Sequence, residues 1–335
     1  MNDSVQRGSK RRDFLLQAAA GTLAASMIDR RRLAAEDVQR RAGDERFRIR
    51  ALDRKYDLHR PRGCTLLAIE VAEWPGNEFG LWLPETVYLK GEIFWGNWHE
   101  DAHLRYTRDD RGRWITKRSF DGFRVESTLT PDPKNSCMWY RHTFHNSGSE
   151  VLHGLNTQTC FHLVNAPQFI SLRGSRVWAN LDGKWMTTDK VARDKSPDPR
   201  RVWFLRKGQR TERTIVPQSF PSAIMPEAAH HALMVAENFA GDGCVAIASR
   251  NFWKLFNNND CILRCLHSES LPIETLEPGQ SVHQDSVLVF FNGDRRATIE
   301  HYDKNIATKW PSDYFEGSRR ERWTSRSWSE TNGSM

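Results

Sequence analysis

One stretch constrains the chain more than any other: residues 137–169, CMWYRHTFHNSGSEVLHGLNTQTCFHLVNAPQF. Met138 to His145 is rich in aromatic and β-branched residues, the composition of a strand. Asn146-Ser147-Gly148-Ser149 is turn chemistry, because Asn and Gly tolerate the positive φ of a tight reversal. Val151 to Leu163 then alternates. Val151, Leu155, Thr157, Thr159, Phe161 and Leu163 fall on one side, and Leu152, Asn156, Gln158, Cys160 and His162 on the other. The stretch predicts two long strands joined by a turn. One face packs on a core and the other presents a row of hydrogen-bonding groups. That row reads either as a solvated sheet face or as the floor of a binding site.

The rest of the chain repeats the strand signal. Phe47 to Leu52 alternates, Thr65 to Ala72 is a buried-type strand, and Val87 to Trp98 is aromatic, with Gly91 and Gly96 as bulge candidates. Asp121-Gly122 and Gly241-Asp242-Gly243 each separate two strand-like runs and predict hairpins. A single convincing helix comes late, capped by Asp294, with Ile299, Tyr302 and Ile306 on one face and Trp310-Pro311 as its stop. Many strands, closely spaced turns and almost no helix predict an all-β protein: one large antiparallel β-sandwich over 45–310 with a short C-terminal helix. The 13 Trp and 17 Phe supply enough aromatic surface for such a core.

The ends read differently. Ser9-Lys10-Arg11-Arg12-Asp13-Phe14-Leu15 matches a twin-arginine export signal, and the uncharged apolar run Phe14 to Met27 follows it. Residues 1–27 are therefore expected to be a signal peptide recognised through Arg11 and Arg12 by the twin-arginine export machinery. The expected destination is periplasmic or extracellular. Residues 28–44 form a charged linker, and 311–335, rich in Ser, Arg and Glu, a disordered tail. No apolar run approaches the roughly 20 residues of a membrane span. The net charge of +7 is partly terminal: 1–44 carries +3 and 311–335 is neutral. The remainder lacks a basic cluster interleaved with aromatics, so no nucleic-acid partner is expected.

Six cysteines invite a metal reading, and Cys261-x3-Cys265-x-His267 is its most visible form. On an extended strand, however, Cys261 and Cys265 lie roughly 13 Å apart, too far for a disulfide or for one ion to take both sulfurs. The cysteines read as small buried apolar residues, and neither a metal nor another cofactor is expected. Phosphate loops, nucleophile elbows and His-Glu-x-x-His are absent from the sequence.

Two segments together resemble the aldose 1-epimerase (galactose mutarotase) superfamily. Gly154 to Leu163, GLNTQTCFHL, is similar to that family's Asn-His-x-Tyr-Phe-Asn-Leu strand, with Phe161 and Leu163 retained. Cys265 to Pro272, CLHSESLP, followed by Leu276-Glu277-Pro278-Gly279, resembles its Cys-Leu-Glu-Thr-Gln-x-Phe-Pro strand and later Leu-x-Pro-Gly-Glu turn. The resemblance implies a β-supersandwich whose concave sheet cradles a sugar. It also implies that Gln158 stands where the family has its general acid His, and His267 where it has its general base Glu. Gln cannot ionise, which puts ordinary mutarotation in doubt, whereas His267 can accept a proton and His162 can supply a second imidazole.

Three functions follow. The first is an exported carbohydrate-binding sandwich with Gln158, Asn156 and Arg141 as sugar-binding residues and Trp139, Trp178, Trp185 and Trp203 as stacking platforms. The second is a sugar isomerase, epimerase or lyase using His267 as base and His162 as partner. The third is a structural or interaction protein that keeps only the sandwich.

Overall fold

The computed structural model describes residues 46–54, 64–96, 104–171, 174–192, 201–209, 222–258 and 264–310. The expected signal peptide, linker and tail lie outside them, as does Cys261. In chain order the strands are β1 (Phe47–Arg54), β2 (Cys64–Val71), β3 (Glu78–Leu89), β4 (Glu92–Gly96), β5 (Thr107–Arg108), β6 (Trp114–Phe120), β7 (Phe123–Asp132), β8 (Cys137–Asn146) and β9 (Leu152–Asn165). They continue as β10 (Val177–Leu181), β11 (Lys184–Thr187), β12 (Arg201–Leu205), β13 (Ser222–Ile224), β14 (Ala229–Glu237), β15 (Cys244–Ser249), β16 (Phe252–Asn258), β17 (Cys265–Ser270), β18 (Ile273–Leu276) and β19 (Ser281–Phe291). A short helix, α1 (Thr188–Ala192), follows β11, and α2 (Arg295–His301) follows β19.

The strands make two sheets. The ten-stranded sheet runs β1-β2-β3-β9-β17-β16-β12-β13, with β4 added to β3 and β18 to β9. The nine-stranded sheet runs β11-β10-β14-β15-β19-β8-β7-β6-β5. Pairing is antiparallel throughout, except for the parallel pair β12–β13. The expected all-β sandwich is the observed architecture.

Alternation explains how the sheets meet. Phe79, Leu81, Phe161, Leu163 and Leu266 of the larger sheet pack against Met138, Tyr140, Met234, Ile247, Leu288 and Phe290 of the smaller. Phe79 stacks on Phe161 with centroids 5.7 Å apart, and the Phe290 ring edge closes on both. The interior also holds a polar seam. His142 Nδ1 lies 2.7 Å from Ser127 Oγ, and its Nε2 lies 2.8 Å from Thr159 Oγ1 on the facing sheet. Thr157 Oγ1 donates to Gln284 Oε1 across the same gap. These bonds satisfy groups whose burial without partners would be costly.

The Asp121-Gly122 hairpin forms as expected, with Phe120 opposite Phe123. The stretch around Asn146 behaves differently. Its two strands do not pair: β8 lies between β7 and β19 in one sheet, while β9 lies between β3 and β17 in the other. The turn carries the chain from sheet to sheet. Asn146 holds the crossing, donating from Nδ2 to the carbonyls of Glu150 and Leu276 and accepting from the Gly148 N–H. Both edges of each strand already have partners, so no hairpin can form between them.

The late helix is shorter than its period suggested. Asp294 caps it, accepting from Ala297 N at 2.8 Å. After His301 the backbone widens into a π turn at Tyr302–Ile306 and a 3₁₀ turn at Ala307–Lys309. Tyr302 and Ile306 pack on the outer side of the nine-stranded sheet beside Cys137, Val235 and Val287.

Candidate functional site

The larger sheet has a second face, turned away from the sandwich interior. Phe161 and Leu266 point inward, so their neighbours Cys160, His162, Cys265 and His267 point to this outer side. The register pairs Cys265 with His162 and Leu266 with Phe161, which brings these side chains together across β9 and β17. Trp82, opposite Cys160 on β3, stands edge-on to the His162 ring at 4.1 Å.

Three cross-strand partners line up beside them. Trp203 on β12 is opposite Phe256 on β16, which is opposite His267 on β17. Their rings stack in one pile: His267 lies 3.6 Å from Phe256 at 10°, and Phe256 lies 4.1 Å from Trp203 at 18°. Lys254 and Glu269, also paired across β16 and β17, form an ion pair at 3.1 Å with side chains 2% and 1% exposed. Burial pushes the Lys254 ammonium down and the Glu269 carboxyl up, and each partner opposes the other's shift. The Lys254 Nζ also sits over the Trp203 ring, 4.3 Å from its centroid.

Glu85 ties the row together. On β3, Trp82 pairs with Cys160 and Thr86 with Gln158, so Leu83, Pro84 and Glu85 together oppose Thr159. Such a bulge re-aims side chains, and Pro84 suits it because proline has no N–H to give the ladder. The Glu85 carboxylate meets Gln158: Gln158 Nε2 donates to Glu85 Oε2 at 2.5 Å, and Tyr88 Oη donates to Gln158 Oε1 at 2.8 Å. The same Oε2 lies 4.0 Å from His267 Nδ1. Gln158 therefore bonds this carboxylate oxygen, and His267 stands beside it without a hydrogen bond to it. Tyr88 and Gln158 are part-exposed, while His267 and His162 are buried at 1% exposure.

His267 is committed on both nitrogens. Nδ1 is 3.0 Å from the Thr159 carbonyl oxygen, which can only accept, so Nδ1 carries the proton. Nε2 then presents its lone pair to Cys265 Sγ, 3.0 Å away. Burial, followed by His162 and Arg201, holds the imidazolium of His267 well below the ordinary histidine range.

The other expected site residues lie elsewhere. Arg141 is on β8 of the nine-stranded sheet, where its Nε donates to Asp285 Oδ1 at 2.7 Å. Its neighbours Tyr140 and His142 face the interior, so Arg141 faces outward on the far side of the molecule from Gln158. Asn156 accepts from Gln284 Nε2 at 2.9 Å and is bonded into the interior seam. Neither joins Gln158. Trp203 is sandwiched between Phe256 and Lys254. Trp139, Trp178 and Trp185 pack in the cluster under the C-terminal helix. None of the four is an open stacking platform.

Sequence reasoning missed Glu85, Lys254 and Glu269, and of the cysteine pair it weighed, Cys261 lies outside the described residues. The ligand atoms of Cys160, His162 and Cys265 lie within 4.8 Å of one another, and so do those of Glu85, Cys160 and His267. A signal for this was present: Cys160-Phe161-His162 and Cys265-Leu266-His267 repeat one Cys-apolar-His pattern.

No protein-family model matches the chain, and no curated protein matches it. Solved structures do. A galactose mutarotase related enzyme from Lactobacillus acidophilus is 8% identical over 69% of this chain and 95% of its own, with a TM-score of 0.40. A galactose mutarotase-like protein from Lactobacillus casei is 8% identical over 73% of this chain and 100% of its own, with a TM-score of 0.39. An aldose epimerase homologue from C. elegans is 9% identical over 63% of this chain and 79% of its own, also at 0.39. These neighbours are galactose mutarotase- and aldose epimerase-like proteins.

Proposed function

We propose that the protein is an exported carbohydrate-binding β-sandwich, passed across the membrane by the twin-arginine route, with its sugar seated at the Tyr88–Gln158–Glu85 end of the outer face. The observation that carries this reading is the hydrogen-bonded row itself. A phenol, a primary amide and a carboxylate offer donors and acceptors together, as sugar hydroxyls require. The row begins at Tyr88 and Gln158, which are part-exposed, and ends at buried Glu85.

Binding is favoured over catalysis with His267 as base. His267 is stacked on Phe256, its Nδ1 proton is given to Thr159, and its Nε2 is turned to Cys265. A base needs a lone pair aimed at substrate, and this one is aimed at sulfur.

The test is a glycan-array screen of the exported form, followed by titration calorimetry with the best glycan. Gln158→Ala is expected to weaken binding by roughly threefold to tenfold, the worth of one hydrogen bond to a neutral partner, without unfolding the domain. A wild-type protein that retains no glycan, or a Gln158→Ala variant with undiminished affinity, would overturn the reading.

A further inference from the structure

We infer that Cys160, His162, Cys265 and His267 form a zinc site that staples β9 to β17. The argument begins with spacing. Residues two apart on a strand share a face, so each Cys-x-His pair delivers a thiol and an imidazole to the same side. The antiparallel register sets Cys265 opposite His162, and therefore His267 opposite Cys160. The result is a square with the sulfurs on one diagonal and the imidazoles on the other.

The atoms are close enough to share an ion. Cys160, His162 and Cys265 present ligand atoms within 4.8 Å of one another, and His267 Nε2 is 3.0 Å from Cys265 Sγ. Zinc bonds of about 2.3 Å to sulfur and about 2.0–2.1 Å to nitrogen put tetrahedral ligand atoms roughly 3.3–3.8 Å apart. Zinc would draw Cys160, His162 and Cys265 together from within 4.8 Å and take His267 Nε2 as its fourth ligand. Two thiolates with two imidazoles are the donor set of a structural zinc centre, and softness argues against magnesium or calcium.

The surrounding groups act as a supporting shell does. The Thr159 carbonyl takes the Nδ1 proton of His267 and so fixes Nε2 as the ligating nitrogen. Asn258 Nδ2 donates to Cys265 Sγ at 2.9 Å, a bond that favours the thiolate. All four candidate ligands are 2% exposed or less, which suits a closed site. With four protein ligands no position remains for substrate, so the ion is structural and binds whether or not a sugar does.

The test uses the full chain purified under reducing conditions. Elemental analysis is expected to find about one zinc per chain, as a single four-ligand site requires. After removal of the zinc with a strong chelator, Co²⁺ is expected to give thiolate-to-cobalt charge-transfer absorption and the intense visible bands of a tetrahedral ion. Cys160→Ser/Cys265→Ser is expected to lose both the zinc and the cobalt spectrum. The chelator is expected to lower the melting temperature of the wild type, and Zn²⁺ alone to restore it. Reduced wild type that carries no zinc and gives no thiolate–cobalt bands overturns the inference, even if the double variant fails to fold. So does a folded double variant that keeps its zinc.

Discussion

At the scale of single residues, the buried charges carry the sharpest consequences. Lys254 and Glu269 neutralise each other where water cannot. Replacing Lys254 with Met leaves a carboxylate alone in an apolar setting and is expected to cost about 3–5 kcal/mol, read as a lower urea midpoint. Adding Glu269→Leu to that variant should recover most of the loss, because the stranded charge is gone. His142 acts through pH instead. Desolvation between the sheets pushes its imidazolium down to about 3. An unfolded histidine binds its proton near pH 6.5, so between these values the unfolded chain holds the extra proton. The contribution of His142 is therefore complete above about pH 6.5 and is lost toward pH 3, at about 1.4 kcal/mol per pH unit. In a pH series of urea melts, His142→Gln should flatten that part of the slope. These partnerships were invisible in sequence, since Lys254, Glu269 and His142 become neighbours of their partners only through register or across the interior.

At the scale of elements, local chemistry was legible and pairing was not. Asp121-Gly122 named its hairpin because a two-residue turn fixes its own strands. Asn146-Ser147-Gly148-Ser149 has the same kind of residues and joins two different sheets. Nothing in a turn tells whether the flanking strands already have other neighbours. The same gap hid the twin Cys-apolar-His pattern, whose meaning depends on β9 lying beside β17. Helix α2 was readable from its cap and period. Asp294→Ala removes the acceptor for Ala297 N and is expected to cost about 1 kcal/mol. Because Tyr302 and Ile306 continue from that helix onto the outer sheet face, the loss should appear as a lower melting temperature of the whole protein. Local fraying alone, with the main transition unmoved, would show that the helix docks independently.

At the scale of the whole molecule, alternation and frequent turns were sufficient for the fold class, because two amphipathic sheets have few other ways to bury their apolar sides. Strand order was out of reach, since it rests on contacts between distant segments. Export belongs to this scale too. Changing Arg11 and Arg12 together to Lys is expected to hold the protein in the cytoplasm, measured by cell fractionation with an intact-protein antibody. Undiminished export of that variant would sink the twin-arginine reading. The two proposals also bear on each other. A route that carries folded protein lets the cysteine ligands take up metal in a reducing compartment before the chain leaves it.

The strand order also sets a rule for biosynthesis. β17 lies between β9 and β16, and β19 lies between β8 and β15, so each sheet receives an interior strand from the last part of the chain. A nascent polypeptide that has emerged only as far as Asn258 presents the unpaired margins of all four neighbours at once, and unpaired strand margins template aggregation. The larger sheet can therefore close only once β17 has emerged, and the smaller only once β19 has. Premature termination before Cys265 should yield inclusion bodies and no soluble fragment.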